Sequence, residues 1–397
     1  MDCSELYRTS SRLILHQSLD FKRDLYYRIN WNARFIGIKG PKGVGKSTLM
    51  LQRIKESLSD ANVLYVSLDD MWFANNTLAE LVEYHYINGG THLFLDEVHK
   101  YPHWQTYIKN IYDKYPTMRV VFTGSSMLQI EKGEGDLSRR VVMYTMDGMS
   151  FREYLGFEGI LRYPVVSLED LLSRHTAIAP DIVQNVKIIP QFKDFCQYGY
   201  YPFYKEDKES FHSRLMEVCR QIIENDIPAV ENVEYATVLK LKKLLMIISL
   251  QVPFVPKMEE LYSQLETSRE QGLKLLKLLE RGGLLGLLNT RVKALKQMAS
   301  PEKMYFNNTN LMYAFNKSPE IGTVRETFFY NQVGCVADLF YPKKGDFQID
   351  EKTIIEVGGP NKSFAQIKDI PDSFLAVDDV EVGWGNRIPL WLFGFLY

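Results

Sequence analysis

The chain has 397 residues, 46% hydrophobic and 24% charged, with a formal net charge of -2. That length exceeds what one compact core holds, so two to four domains are expected. No apolar run reaches the roughly 20 residues of a spanning helix, which excludes helical membrane spans, and the balanced charge leaves any DNA contact to a local basic surface. The opening MDCSELYRTSSRL lacks the basic start and apolar stretch of a secretory leader, so the cytoplasm is the expected compartment. Cys3, Cys196, Cys219 and Cys335 lie far apart without CxxC spacing, arguing against a disulfide framework or a zinc knuckle.

In chain order, RFIGIKG, NVLYVSL, HLFLDEV and RVVFTGSS read as buried strands alternating with amphipathic segments, the pattern of a parallel sheet flanked by helices. Between the first strand and a helix expected from about Lys46 to Leu58 stands GPKGVGKST, Gly40 to Thr48, which matches G-x-x-x-x-G-K-[ST] in the context that motif requires. Gly43 and Gly45 let backbone N–H groups turn onto phosphates, and the helix N-terminus adds partial positive charge. Lys46 then reaches the β- and γ-phosphates of ATP, and Ser47 offers its hydroxyl to Mg²⁺. The nucleotide-binding set read here is Gly40, Lys42, Gly43, Val44, Gly45, Lys46, Ser47 and Thr48.

HLFLDEV ends in two acids where a carboxylate meets the metal beside such a loop. Asp96 takes the Mg²⁺ role, and Glu97 is placed to orient and deprotonate the attacking water. The polar end of the next strand, Ser125 with Ser126, reads as a sensor position, with plain turn chemistry as the rival explanation. Arg139 and Arg140 in DLSRRV offer a cation for the transferred phosphoryl group, in the same chain or across a subunit contact; a surface arginine pair is the rival. His99 and His103 have a metal-like spacing, but Pro102 breaks the helix that would align them.

Beyond Phe151 the texture turns helical and charged (SFREYL, SLEDLLSRH, QFKDFCQ, ESFHSRLMEVCRQIIEND), and from Val233 three helical patterns precede a short apolar pair, the order of a winged helix-turn-helix. KMYFNN, GDFQID, TIIEVGG and LAVDDVEVG are candidate strands of a last α/β segment. The expected domains are residues 1–150 (P-loop domain with helical lead-in), 151–232 (helical connector), 233–298 (winged helix) and 299–397 (C-terminal α/β).

Taken together, GPKGVGKSTL, LFLDEVHKYPHW, FTGSS, DLSRRV, SFREYL, GYYP, RETFF and the closing IPLWLFGFLY give a chain that resembles, over nearly its whole length, a family of prokaryotic AAA-type P-loop ATPases carrying a winged helix and a C-terminal restriction-endonuclease-like domain. The resemblance implies a multidomain α/β fold, ATP and Mg²⁺ at Lys46, Ser47 and Asp96, hydrolysis through Glu97, a sensor at Ser125, and Arg140 as the functional arginine. It also implies that residues 1–33 form a helical lead-in packed on the ATPase core.

Nucleases of that type hold Mg²⁺ between two strand acids, the second followed two residues later by a lysine, often with a helical Glu upstream. Glu326, Asp346 and Glu356 stand in the right order, but Gly358 occupies the lysine's place. Lys362 or Lys368 is the candidate replacement cation for a degenerate nuclease site at Glu326, Asp346, Glu356 and Lys362; the favoured reading is a fold retained for DNA binding or docking, its acids solvated. In SREQGLKLLKLLERGG, Ser268 is a natural N-cap and Arg269, Lys274, Lys277 and Arg281 form a polar face for a major groove or a protein. The expected function is Mg²⁺-dependent ATP binding and hydrolysis driving a conformational switch, with output to DNA or a protein partner and self-association left open. An ATP-dependent DNA nuclease and a non-hydrolysing ATP-binding scaffold are the alternatives.

Overall fold

The computed structural model describes residues 2–58, 62–124, 137, 139–231, 233–250, 257–294 and 299–397. They form two compact units, residues 1–147 and 148–397. The first is built on a five-stranded sheet in the order β2-β3-β4-β1-β5, with β1 Phe35–Lys39, β2 Val63–Ser67, β3 His92–Asp96, β4 Arg119–Gly124 and β5 Val142–Thr145. Every pairing is parallel. Strands covered on both faces read as unbroken apolar runs, which is why β1 to β4 are visible in the sequence. The sequence reading missed β5, which lies at the sheet edge with Val142 and Thr145 exposed and so lacks such a run.

Helices α1 Ser4–His16, α2 Lys46–Ser57, α3 Leu78–Ile87 and α4 Trp104–Lys114 belong to this unit. Leu93, Leu95, Val120 and Phe122 of the sheet share one core with Trp104, Ile108 and Ile111 of α4. The lead-in is tied down by its backbone: Gln52 of α2 donates to the carbonyls of Ser18 and Phe21 at 3.0 and 2.8 Å, and Lys55 to those of Leu15 and Gln17 at 2.7 Å each. At the β2 edge, the Tyr65 N–H donates to the Ser10 hydroxyl of α1 at 3.0 Å, satisfying a group that an open edge would leave to another chain.

The second unit carries a five-stranded mixed sheet in the order β12-β11-β10-β9-β8 and a two-stranded sheet, β6-β7. Here β6 is Leu285–Leu288, β7 Lys303–Phe306, β8 Leu339–Phe340, β9 Phe347–Ile349, β10 Thr353–Gly358, β11 Ser373–Val377 and β12 Arg387–Pro389. Helices α5 Tyr235–Leu250, α6 Met258–Gln264 and α7 Arg269–Arg281 precede the antiparallel β6–β7 pair. That pair joins strands on either side of residue 298: KMYF, read with the C-terminal segment, finds its partner in LGLL. Helix α8, Ile321–Gly334, carries Phe329, whose ring meets Phe347 of β9 and Phe393 at centroid distances of 4.8 and 4.9 Å.

Motifs with no evident chemistry in the sequence are the joints of this unit. Ser150 and Glu153 of SFREYL form a reciprocal capping box. The N–H of Phe151 donates to Gln332 Oε1 at 3.1 Å, and the Ser150 hydroxyl to the Tyr397 carbonyl at 2.6 Å. In GYYP, the Tyr200 N–H donates to Asn310 Oδ1 at 2.8 Å. Residues 390–396 are all buried.

Candidate nucleotide site and the C-terminal acid cluster

The loop after β1 takes the conformation its glycines permit. Gly43 and Gly45 have φ of 87° and 100°, where a Cβ is strained. At Gly40 the constraint is space, since a Cβ there would stand 2.0 Å from the Met146 carbonyl oxygen. Gly45 is the N-cap of α2 and supplies no capping side chain, so the helix start keeps N–H groups for an anion. Val44 is fully buried, and its carbonyl accepts from Arg23 Nη1 at 2.9 Å, while Arg23 Nη2 donates to the Asp147 carbonyl at 2.8 Å. Arg23, absent from the sequence reading, thus braces the loop from the lead-in; an arginine in a polar lead-in gives no sequence signal of that reach. Lys46 is buried and its Nζ donates to the carbonyls of Gly40 and Pro41 at 3.0 and 2.7 Å, which holds the ammonium over the loop. Lys42 and Ser47 are half-buried and Thr48 exposed.

Asp96 ends β3, between β2 and β4, and both neighbours supply it with donors. Thr123 of β4 gives its hydroxyl to Asp96 Oδ1, and Tyr65 of β2 gives its phenol to Oδ2 at 2.6 Å. Thr123 is fully buried and Asp96 4% exposed, so these bonds replace the water an ionised carboxylate would otherwise hold. The sequence reading missed both partners: a Tyr in an apolar strand reads as core, whereas a Thr at the polar end of the strand beside Asp96 was a signal within reach. Glu97 follows in the left-handed region at φ 53°, a conformation costing a side-chain-bearing residue about 1 kcal/mol, and its N–H points to Asp96 Oδ1 and Thr123 Oγ1, each at 3.2 Å. Its carboxylate lies 3.3 Å from Nε2 of the buried His99. His103 is exposed.

Ser125 lies outside the described residues. Arg140 is paired with Asp113 of α4, Nε to Oδ1 at 3.2 Å. The hydroxyl of Ser47 and the carboxylate of Asp96 are hard oxygen donors of the kind Mg²⁺ selects, and the Lys46 ammonium with the uncapped α2 start suits a polyphosphate, so the residues present fit Mg²⁺ and ATP.

Comparison with known proteins agrees for this part of the chain. Residues 32–155 match the AAA domain. This stretch is thus similar to AAA-type P-loop ATPases. An uncharacterized protein of Methanocaldococcus jannaschii is 26% identical over 91% of this chain and 83% of its own length. Among solved structures, AMPPCP-bound DnaA from Aquifex aeolicus is 14% identical, covering 70% of this chain and 89% of its own, at a TM-score of 0.26. The Hsp104–ADP complex of S. cerevisiae is also 14% identical, over 70% of this chain and 39% of its own, at 0.28. Among the described residues no helix is long and apolar enough to cross a membrane.

In the second unit Glu326, Asp346, Glu356 and Lys362 lie near one another with an unforeseen fifth residue, and the acids, expected to be solvated, are half-buried or buried and paired with lysines. Lys303 of β7, 7% exposed, pairs with Glu326 of α8 and stands 3.9 Å from Asp346. Tyr305 donates its hydroxyl to the same Glu326 oxygen at 2.8 Å, and the Val357 N–H donates to Asp346 Oδ2 at 2.8 Å. Lys362 Nζ meets Glu356 Oε1 at 2.5 Å, and its stem fills the space over Gly358, where a Cβ would fall 2.6 Å from Lys362 Cγ. Among the described residues no three acids, histidines or cysteines are spaced to hold a metal ion. Burial pushes both Glu326 and Glu356 above the usual glutamate range, against the pull of Lys303 and Lys362 respectively. A glutamate raised on folding contributes most below its unfolded pKa and less as pH rises through its folded value; Lys303 limits that decline at Glu326. Lys303→Met should therefore leave stability nearly unchanged at acid pH and cost about 3 kcal/mol near neutrality, read from urea-unfolding midpoints across pH.

On α7, Ser268 accepts from the Gln271 N–H at 3.3 Å as the N-cap. Of the four cations on this helix, Lys277 pairs with Glu280 at 2.7 Å and Arg281 with Glu231 at 3.1 Å. Lys274 lines a cleft of about 390 Å³ together with Lys240, Glu231 and Glu234. The face presented is of mixed sign.

Proposed function

We propose that the chain is a Mg²⁺-dependent ATPase used as a molecular switch, its nucleotide state directing the second unit to engage DNA or a protein partner. The observation that carries this reading is the β3 terminus: Asp96 held by donors from both flanking strands, and Glu97 turned by a positive φ directly after it. In this reading Lys46 binds the β- and γ-phosphates, Ser47 and Asp96 hold Mg²⁺, and Glu97 takes a proton from the attacking water. Mg²⁺, when bound, neutralises charge on the phosphates. Ser125 senses the γ-phosphate. Arg140, engaged by Asp113 in the single chain, acts across a contact between copies.

A second reading, an ATP-dependent DNA nuclease, is favoured by one observation, the Lys362 ammonium on Glu356 with its stem over Gly358. Against it, Lys303 and Lys362 already neutralise much of the charge a metal would need. Incubation with linear and supercoiled DNA, Mg²⁺ or Mn²⁺, with and without ATP, separates the two. The switch predicts phosphate release that DNA or a partner stimulates, and intact DNA with both wild type and Asp346→Ala. Cleavage by wild type that vanishes in Asp346→Ala would overturn it.

A further inference from the structure

Tyr65 of β2 stands out among groups to which the proposed chemistry gives no role. It is 7% exposed, yet its polar end is not spent on the core. The register pairs Ser67 with Asp96, so Tyr65, two residues earlier on the same face, approaches Asp96 diagonally, a span that only a long side chain crosses. Its hydroxyl reaches Asp96 Oδ2 at 2.6 Å.

The distribution of bonds on Asp96 gives this contact its meaning. A carboxylate oxygen has two lone pairs. Among the described residues, Oδ1 receives the Thr123 hydroxyl and the Glu97 N–H, which occupies it, whereas Oδ2 receives the Tyr65 hydroxyl and keeps one acceptor site. Oδ2 is therefore the oxygen available to a cation or its bound water. We infer that Tyr65 is a positioning residue for the divalent cation, orienting Asp96 Oδ2 before the metal arrives. The phenol donates to Asp96 Oδ2, which fixes the rotation of the carboxylate and leaves that oxygen's second lone pair for the ion.

This inference rests on the proposed ATPase reading and is tested by affinity, without turnover. A fluorescent ATP analogue is titrated against the full chain in EDTA and in Mg²⁺, for wild type and Tyr65→Phe, which keeps the ring and removes only the hydroxyl. Wild type should bind more tightly with Mg²⁺, and Tyr65→Phe should lose about tenfold of that gain with its EDTA affinity unchanged, the scale of one hydrogen bond to a charged group. An unchanged Mg²⁺ gain overturns the inference and leaves the ATPase reading intact, as does an equal loss in EDTA and Mg²⁺, which signals a packing defect. Wild type that fails to bind the analogue overturns both. Should Tyr65→Phe not fold, 3-fluorotyrosine placed at position 65 reads the same point: its ¹⁹F resonance should shift when Mg²⁺ joins the nucleotide complex, and an unmoved resonance overturns the role.

Discussion

Glu97→Gln should lower ATP hydrolysis by about two to three orders of magnitude while nucleotide affinity stays within about twofold of wild type, the pattern of a lost general base. Glutamine has the same shape and keeps the left-handed turn at φ 53°, so the backbone that presents the side chain is not at stake. It also preserves an oxygen or nitrogen opposite His99 Nε2, now 3.3 Å from the carboxylate. What disappears is the ability to accept a proton from water. Single-turnover phosphate release and analogue binding, measured on the same preparation, separate chemistry from affinity. Release that is absent in wild type and unaltered by Glu97→Gln would select the scaffold that binds ATP without turnover.

Lys46→Ala should weaken ATP binding by about a hundredfold or more, observed by calorimetry as loss of a measurable heat. Its ammonium is buried and held by two loop carbonyls, Gly40 and Pro41, so it is in place before the nucleotide arrives and little ordering is left for binding to supply. Alanine is a good helix former at the first turn of α2, which separates the affinity effect from a folding defect. Thermal shift gives a second reading: ATP should raise the melting temperature of wild type and leave that of Lys46→Ala unmoved. Unchanged nucleotide affinity would overturn the assignment of this loop.

Much of the first unit was legible because its chemistry is local in sequence. The glycines, Lys46 and Ser47 fall within eight consecutive positions, and Asp96 with Glu97 closes an apolar strand. Positive φ values at Gly43 and Gly45 follow directly from that spelling. Strand β5 was hidden because an edge strand with exposed Val142 and Thr145 has no continuous apolar run to announce it. In the second unit, the order of Glu326, Asp346 and Glu356 was readable, but the charge balance was not. Lys303 looked like an ordinary lysine at the start of a strand, and only the fold carries it between two carboxylates.

By itself the sequence determined the P-loop and the paired acids at the end of β3, because each is a matter of residue type at fixed spacing along one strand or turn. The tertiary structure alone decided which partners those residues meet. Tyr65 and Thr123 reach Asp96 from separate strands, Arg23 reaches the loop from the lead-in, and Lys362 lays its stem over Gly358 to meet Glu356. Strand order and register set those meetings, and neither is written in the spacing of any one segment, because sheet neighbours are chosen by how the whole set of apolar faces is buried.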